Sequence, residues 1–219
     1  MSLIQSSDAS EPTERQREVL DAVLALLVEE GDAVTMSAVA RRASCSKETL
    51  YKWFGDRDGL MTATVRWQAS KVRAGSYDRQ HLDASTLAES LEDFAANWLA
   101  VISSGTSIAL NRVAVGNAAA GKADLGRIVL ANGRFAIGER LKPLLEDARA
   151  AGLIDFADTE TAFRTFFGLV GRDVQIRLLL GDRMALGRAE IERDAALATR
   201  QFLKLFAPAG RRRPETQAN

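Results

Sequence analysis

This sequence of 219 residues has very little of several residue types that mark particular classes of protein. It contains one cysteine, Cys45, so no disulfide can form within the chain and the sequence indicates a reducing compartment. Its one histidine, His81, lies in a polar segment that we expect to be an exposed connector rather than the site of a catalytic base. Neither Cys–His metal spacing nor a phosphate-binding glycine loop occurs, so we expect no cofactor, no metal and no enzyme activity.

Long hydrophobic runs and an excess of one charge are also lacking. No window approaches the roughly 18 consecutive apolar residues of a membrane helix, and residues 1–17 lack the apolar stretch of a secretory signal. The 29 basic residues balance the 29 acidic ones, so the chain as a whole does not indicate an electrostatic partner. With 47% hydrophobic residues, the sequence predicts a cytoplasmic globular protein that has a sizeable core and no membrane partner.

The residues that are abundant predict an all-α fold. Ala, Leu, Arg and Glu recur at helical intervals, and no segment has the alternation of a strand. Thr35, Ser46 and Asp56 are predicted N-caps of helices that follow a first, longer helix. Because the two helices after Thr35 and Ser46 are too short to be stable alone, we expect them to pack on their neighbours. The predicted helices cover residues 13–30, 36–43, 47–54, 57–72, 84–103, 107–119, 124–150, 159–180 and 189–206.

Residues 35–54 predict a pair of short helices joined by a tight turn, an arrangement that fits the major groove of DNA. Leu50 and Phe54 fall on one side of the second helix, and Glu48 and Lys52 fall on the other. Residues 41–57 carry a net charge of +3, which suits phosphate contact but also occurs on solvated helix faces. The candidates for reading bases are Ser46, Lys47, Glu48, Thr49 and Lys52, and those for phosphate contact are Thr35, Arg41, Arg42, Tyr51 and Arg57.

The same region resembles the DNA-binding domain of TetR/AcrR-type transcriptional regulators. The resemblance covers roughly residues 14–66 and depends on the runs 17–22, 30–31, 39–43, 46–51 and 53–54. Where the family commonly has Ala-Gly-Val-Ser in the turn, this chain has serine at position 44, so Ser44 must adopt a geometry that glycine usually eases. Arg57 stands where the family commonly has lysine, which keeps the charge and changes its shape.

The resemblance implies a second helical domain that binds a small molecule and forms a homodimer, and residues 152–180 are similar to AefR-like members. We therefore expect a flexible N-terminus at 1–12, a three-helix helix-turn-helix domain at 13–60 with a linking helix at 57–74, a ligand-binding and dimerisation bundle at 75–207, and a flexible basic tail at 208–219. The implied function is that of a repressor released from a palindromic double-stranded DNA operator by an effector. The alternatives are an activator or corepressor-dependent regulator of the same architecture, and a small-molecule-binding helical protein with a vestigial DNA head.

Two apolar stripes near the C-terminus are candidates for the dimer interface. Two helices from each of two chains would form a four-helix interface, although both stripes would look the same if they packed inside one subunit. A dimer is favoured because a helix-turn-helix protein gains affinity from two half-sites about 34–36 Å apart. The stripes are Phe163, Phe167, Val170, Val174 and Leu178, and Ile191, Ala195, Ala198, Phe202 and Leu205.

The ligand site is the least specific of these predictions. Several glycines within predicted helices suggest close packing, bends or room for a cavity. A largely apolar effector would then lie in an apolar pocket with few polar anchors, although the same residues would also suit a plain core. The candidates for this pocket are Phe94, Trp98, Asn111, Arg112, Phe135 and Phe166. Cys45 is expected to fill space in the turn, with a redox-sensing thiol as the alternative.

Overall fold

The computed structural model describes residues 11–73, 77–121, 124–184 and 186–208. In these ranges every regular element is a helix, which confirms the all-α prediction. The helices are α1 (Glu14–Glu30), α2 (Met36–Arg42), α3 (Lys47–Phe54), α4 (Arg57–Ser70), α5 (Ala84–Ile102), α6 (Gly105–Ala119), α7 (Asp124–Val129), a π-helical segment (Leu130–Phe135), α8 (Ala136–Ala150), α9 (Thr159–Gly171), α10 (Val174–Leu179) and α11 (Arg188–Leu205), with single 3-10 turns at Gly31–Ala33 and Arg79–His81. The predicted flexible ends lie, apart from residues 11, 12 and 208, outside the described residues.

Side-chain caps begin the short N-terminal helices, as the sequence predicts. The Thr35 hydroxyl accepts a hydrogen bond of 3.1 Å from the backbone N–H of Ala38. The Ser46 hydroxyl accepts one of 3.1 Å from Thr49, and the Asp56 carboxylate accepts one of 2.8 Å from the N–H of residue 59. Each cap satisfies a backbone donor that the first helical turn leaves free, so the three predicted starting points are confirmed.

The N-terminal helices share a hydrophobic core with α6 and α7. The predicted apolar face of α1 is buried, with Val19 and Val23 at 0% exposure. Leu50 of α3 is also at 0%, and it joins the same cluster as Leu110 of α6 and Leu125 of α7. The DNA-binding candidates are therefore carried on a scaffold that continues into the C-terminal part of the chain.

A second core lies between α5, α8, α9, α10 and α11 and is rich in phenylalanine. The rings of Phe166 and Phe202 pack edge to face with centroids 5.1 Å apart. A Cβ atom on Gly138 would lie 2.8 Å from Cε1 of Phe163, so glycine lets α8 approach α9 closely. Among the described helices none by itself is long and apolar enough to cross a membrane, while α5 and α6 together reach that length and composition across a 63° bend.

Residues 124–150 do not form the single α-helix that the sequence predicts. The segment Leu130–Phe135 between α7 and α8 has the wider π-helical turn. Asn132 within it accepts a hydrogen bond of 2.7 Å from Nε of Arg66 on α4, and its own amide donates 3.1 Å to the carbonyl of Ile128. The wider turn therefore coincides with a contact between distant parts of the chain, which helical periodicity does not reveal.

Residues 159–180 are also divided, because α9 ends at Gly171 and α10 begins at Val174. Arg172 adopts a left-handed backbone with φ of 41° and forms an ion pair with Asp194 of α11. A Cβ atom on Gly171 would lie 2.8 Å from the Trp98 ring. Close approach to α5 and pairing with α11 thus break a stretch whose apolar pattern predicts one helix.

Candidate nucleic-acid interface

The helix α3 presents its polar face to solvent, and we call it the reading helix. Its inner side is fixed by Leu50, while Trp53 and Phe54 are half-buried against the N-terminal core. Nine of the ten residues predicted to contact DNA are exposed, and Thr49 is half-buried. The structure therefore brings the candidates onto one accessible surface around the reading helix and the end of α2.

Two of the five basic residues in this surface are already paired with carboxylates. Arg42 donates two hydrogen bonds of 2.8 Å to Glu29, and this pairing raises the pKa of Arg42 and lowers that of Glu29. Arg57 contacts Asp32 at 3.3 Å. Arg41, Lys47 and Lys52 make no ion pair with any residue that the structure describes. These three cations are thus the readiest contacts for phosphate or base edges.

Glu48 adds a fixed negative charge at the start of the reading helix. Hydrogen bonds from its own backbone N–H and from the Ser46 side chain hold the pKa of Glu48 below its ordinary value. It therefore remains ionised at neutral pH. A carboxylate in this position repels phosphate and accepts a hydrogen bond from the amino group of cytosine, so it suits a base contact better than a backbone contact.

The turn between α2 and α3 has the strained residue that the sequence predicts. Ser44 has φ of 49°, a left-handed conformation that costs a residue with a Cβ atom about 1–2 kcal/mol. Arg15 of α1 donates hydrogen bonds of 2.5 Å to the carbonyl of Ala43 and 3.2 Å to that of Ser44. A side chain from the first helix therefore holds the turn that sets the position of the reading helix.

We expect the Ser44→Gly variant to be more stable than the parent protein by about 0.5–1 kcal/mol. Glycine removes the penalty of the left-handed backbone, and part of that gain is lost because glycine also makes the unfolded chain more flexible. The measurement is the midpoint of urea unfolding. Ser44→Ala is the control, since alanine keeps the Cβ atom and should leave the midpoint nearly unchanged. Equal midpoints for both variants would contradict this account of the turn.

The helix α4 connects the reading helix to the C-terminal core through specific polar contacts. The Trp67 indole N–H donates 2.7 Å to Asp21 of α1. Arg140 of α8 donates to the carbonyls of Ala69 and Val72 at 2.6 and 3.1 Å. Both contacts lie at the C-terminal end of α4, which is therefore bonded to α1 on the DNA-binding side and to α8 on the C-terminal side.

A cavity of about 320 Å³ lies next to α4 among α5, α6, α8, α9, α10 and the π-helical segment. Two of the ligand candidates, Trp98 and Asn111, line it. Phe94 and Phe166 are fully buried core residues outside its wall. Arg112 donates to the carbonyls of Leu178 and Leu179 at the end of α10, at 2.8 and 3.2 Å, and Phe135 is 58% exposed on the surface. The structure thus separates the six candidates into cavity, core and surface.

The two stripes predicted for a dimer interface lie mostly inside one subunit, which corrects that prediction. The first stripe is buried in the C-terminal core, apart from half-buried Phe167. Ala195, Ala198 and Phe202 of the second stripe are at 0–1% exposure, while Leu205 is 55% exposed. The physical reason is that α11 packs its apolar stripe against α5 and α9 of its own chain. Of the ten stripe residues, Leu205 is the one on the surface.

Comparison with known proteins agrees with this architecture. The family description "Bacterial regulatory proteins, tetR family" matches residues 19–64, and "AefR-like transcriptional repressor, C-terminal domain" matches residues 89–208. A TetR transcriptional regulator from Agrobacterium tumefaciens is 42% identical, with 90% of this chain and 97% of that one covered and a TM-score of 0.78. The chain belongs to the TetR family. It is accordingly a transcriptional regulator with an N-terminal helix-turn-helix domain, and not an enzyme.

Two other known regulators match this chain over different extents. The regulator BetI of Paraburkholderia xenovorans is 39% identical over 66 residues, which are 27% of this chain and 34% of that protein. This chain therefore matches about a third of the length of that curated relative. The structure named flavonoid-responsive regulator FrrA is 28% identical, covers 89% of this chain and 98% of its own, and has a TM-score of 0.64.

The roles of several residues at this site could not be predicted from the sequence. Arg15 and Arg140 bind backbone carbonyls of distant segments, and Arg134 joins Trp98 and Phe167 in the cavity wall. Arg15 and Arg140 lie on helices that have many other charged residues, and Arg134 lies in a segment predicted as an ordinary helix, so no local pattern separates them from solvated side chains. Only their tertiary neighbours reveal what they do.

Proposed function

We propose that this TetR-family regulator is a homodimeric repressor that binds a roughly palindromic operator and is released from it by a small-molecule effector. The observation that carries the proposal is the exposed reading helix, in which Lys47 and Lys52 are unpaired among described residues and Ser46 caps the first turn. A helix with these properties inserts its N-terminal residues into the major groove. Such a regulator acts where the chromosome is, so its place is the cytoplasm.

The proposed dimer uses the outward face of α11. Leu197 is 37% exposed and Leu205 is 55% exposed, and they lie about two turns apart along the helix, outside its buried residues. The family description matched by this part of the chain is that of a repressor C-terminal domain. Pairing two copies through this face would present two reading helices to one operator, which supplies the affinity of two half-sites.

The proposed release depends on the position of the cavity beside α4. Val65, Gln68 and Ala69 of α4 line the cavity, and Arg66 of the same helix is hydrogen-bonded to the π-helical segment. If a ligand binds one arrangement of α4 more tightly than another, this difference in affinity shifts the protein toward that arrangement. The separation of the two reading helices then changes with the position of α4. The related FrrA is named as flavonoid-responsive, which supports a largely apolar effector for this chain as well.

Fluorescence anisotropy with labelled DNA from the region flanking its own gene tests the proposal. We expect saturable binding with two chains for each duplex and an affinity at least about a thousandfold above that for scrambled DNA. Binding strengthened by a ligand would instead favour the corepressor-dependent alternative. Equal affinity for both DNAs, together with retained ligand binding, would favour a vestigial DNA head and overturn the proposed function.

A further inference from the structure

Arg134 is the one charged side chain among the described residues that line the 320 Å³ cavity. Its guanidinium carbon lies 3.8 Å from the centroid of the Phe167 ring and 4.7 Å from that of Phe163. Phe167 in turn stacks on Trp98 with centroids 3.7 Å apart. One wall of the cavity is therefore continuous and consists of two stacked aromatic rings, Trp98 and Phe167, and the cation of Arg134.

The hydrogen-bond donors of the Arg134 guanidinium are not used by the residues that the structure describes. It forms no hydrogen bond and no ion pair with any residue in the described ranges. Its side chain is half-buried, and this burial lowers the pKa of Arg134 from its ordinary value. An arginine nevertheless stays protonated at neutral pH. Stacking covers the face of the guanidinium and leaves its edge, with the donors that bind carboxylates, without an acceptor among the described residues.

The charges around Arg134 do not neutralise it. Glu160 is the nearby carboxylate that favours its charged form, but Glu160 forms an ion pair of 2.8 Å with Lys142. Arg164 adds a nearby like charge, which also lowers the pKa of Arg134. The other polar residues of the cavity wall are Gln68, Ser107, Asn111 and Gln175, all neutral. The cavity thus offers one positive charge in otherwise neutral surroundings.

The π-helical segment holds Arg134 in this position. Gly133, Arg134 and Leu130 of this segment all line the cavity, and Asn132 of the same turn binds Arg66 on α4. Wide turns of this kind often occur at functional sites in helical proteins. A ligand that binds Arg134 would therefore act on the segment that also contacts the helix leading to the reading helix.

We propose that the effector of this regulator is an apolar monocarboxylate whose carboxyl group is bound by Arg134 and whose body lies against Phe167 and Trp98. This inference rests on the proposed release by a small molecule and adds its chemical class. A single carboxylate matches the single cation, whereas a second negative charge would be left buried without a partner. The volume of 320 Å³ holds about ten to fifteen non-hydrogen atoms, if each takes about 20–30 Å³.

The test compares acids with neutral amides of the same shape. The probes are cinnamate with cinnamamide, for an aromatic body, and octanoate with octanamide, for an aliphatic one. Isothermal titration calorimetry on the full-length protein at neutral pH gives the affinity of each probe. The variants are Arg134→Gln, Arg134→Lys and the control Arg164→Gln, which makes the same change at an exposed arginine outside the cavity wall.

We expect at least one acid to bind the parent protein at least about tenfold more tightly than its amide. Arg134→Gln should remove this preference while the amide affinity stays within about threefold, which shows that the cavity is intact. Arg134→Lys should keep part of the preference because it keeps the charge, and Arg164→Gln should keep all of it. Amides that bind as tightly as acids, acids that do not bind at millimolar concentration, or a preference that survives in Arg134→Gln would each overturn the proposal.

The same samples separate this inference from the proposed function. Operator binding is measured by anisotropy in the presence of each probe. An acid that binds through Arg134 without releasing DNA supports the ligand class and contradicts release by that ligand. Release by the amides but not by the acids supports the repressor and overturns the ligand class.

Discussion

Replacing Lys47 by alanine should weaken operator binding by about 2–6 kcal/mol for the dimer. Lys47 lies in the first turn of the reading helix, is exposed, and makes no ion pair within the described part of the chain. One lost contact with a base edge or phosphate costs about 1–3 kcal/mol, and the substitution occurs once in each subunit. The dissociation constant, measured by anisotropy at several salt concentrations, should also show a salt dependence shallower by about two counterions.

The control for this prediction is Arg183→Ala. It removes the same charge from an exposed position between α10 and α11, remote from the reading helix in the sequence. If the net charge of the protein alone determined operator affinity, both variants would lose the same amount of binding free energy. The assignment of Lys47 as a contact would be wrong if its variant kept the affinity and the salt dependence of the parent protein. Tyr51→Phe should cause a smaller loss, since it removes a single hydroxyl and no charge.

The double variant Leu197→Glu, Leu205→Glu should be a folded monomer that loses specific operator binding. Both leucines are exposed in the single subunit, so the substitutions leave the subunit core intact. In the proposed dimer they would bury unpaired carboxylates against an apolar face, which costs several kcal/mol for each pair of subunits. Sedimentation equilibrium should give the mass of one chain, and operator affinity should fall by at least about a hundredfold.

Two further variants show whether this effect belongs to the outward face of α11. Val115→Glu places the same charge at an exposed position of α6 and should leave the dimer unchanged. Phe202→Ala lies on the buried side of α11 and should lower the free energy of unfolding by about 3–5 kcal/mol without dissociating the dimer. A double glutamate variant that remains dimeric would place the interface elsewhere.

The starts of the short N-terminal helices could be predicted because the interactions that set them are local. A capping side chain and its backbone partner are three residues apart, as at Thr35 and Ala38 or Ser46 and Thr49. The left-handed backbone of Ser44 was predictable from the resemblance, because TetR/AcrR-type regulators commonly have glycine at this position. The resemblance to TetR/AcrR-type regulators rested on this same local pattern.

The direction in which the C-terminal stripes face was not predictable from their spacing. A periodic apolar stripe shows that one side of a helix is buried. The pattern does not distinguish a helix that packs against its own chain from one that packs against a second copy. The structure places Phe163, Val170 and Phe202 in the core of one subunit. The exposed leucines of α11 are fewer and lack a clear period, so the sequence alone does not mark them.

The sequence by itself determined the helical class, the caps of the short helices and the exposed polar face of the reading helix, because each depends on residues within one or two turns. Only the tertiary structure decided which cations are free, which stripes face inward and where the cavity lies. Arg42 is neutralised by Glu29 and Arg134 is stacked on Phe167, although both are arginines on helices. The difference arises from neighbours that are far away in the chain, and packing alone brings them together.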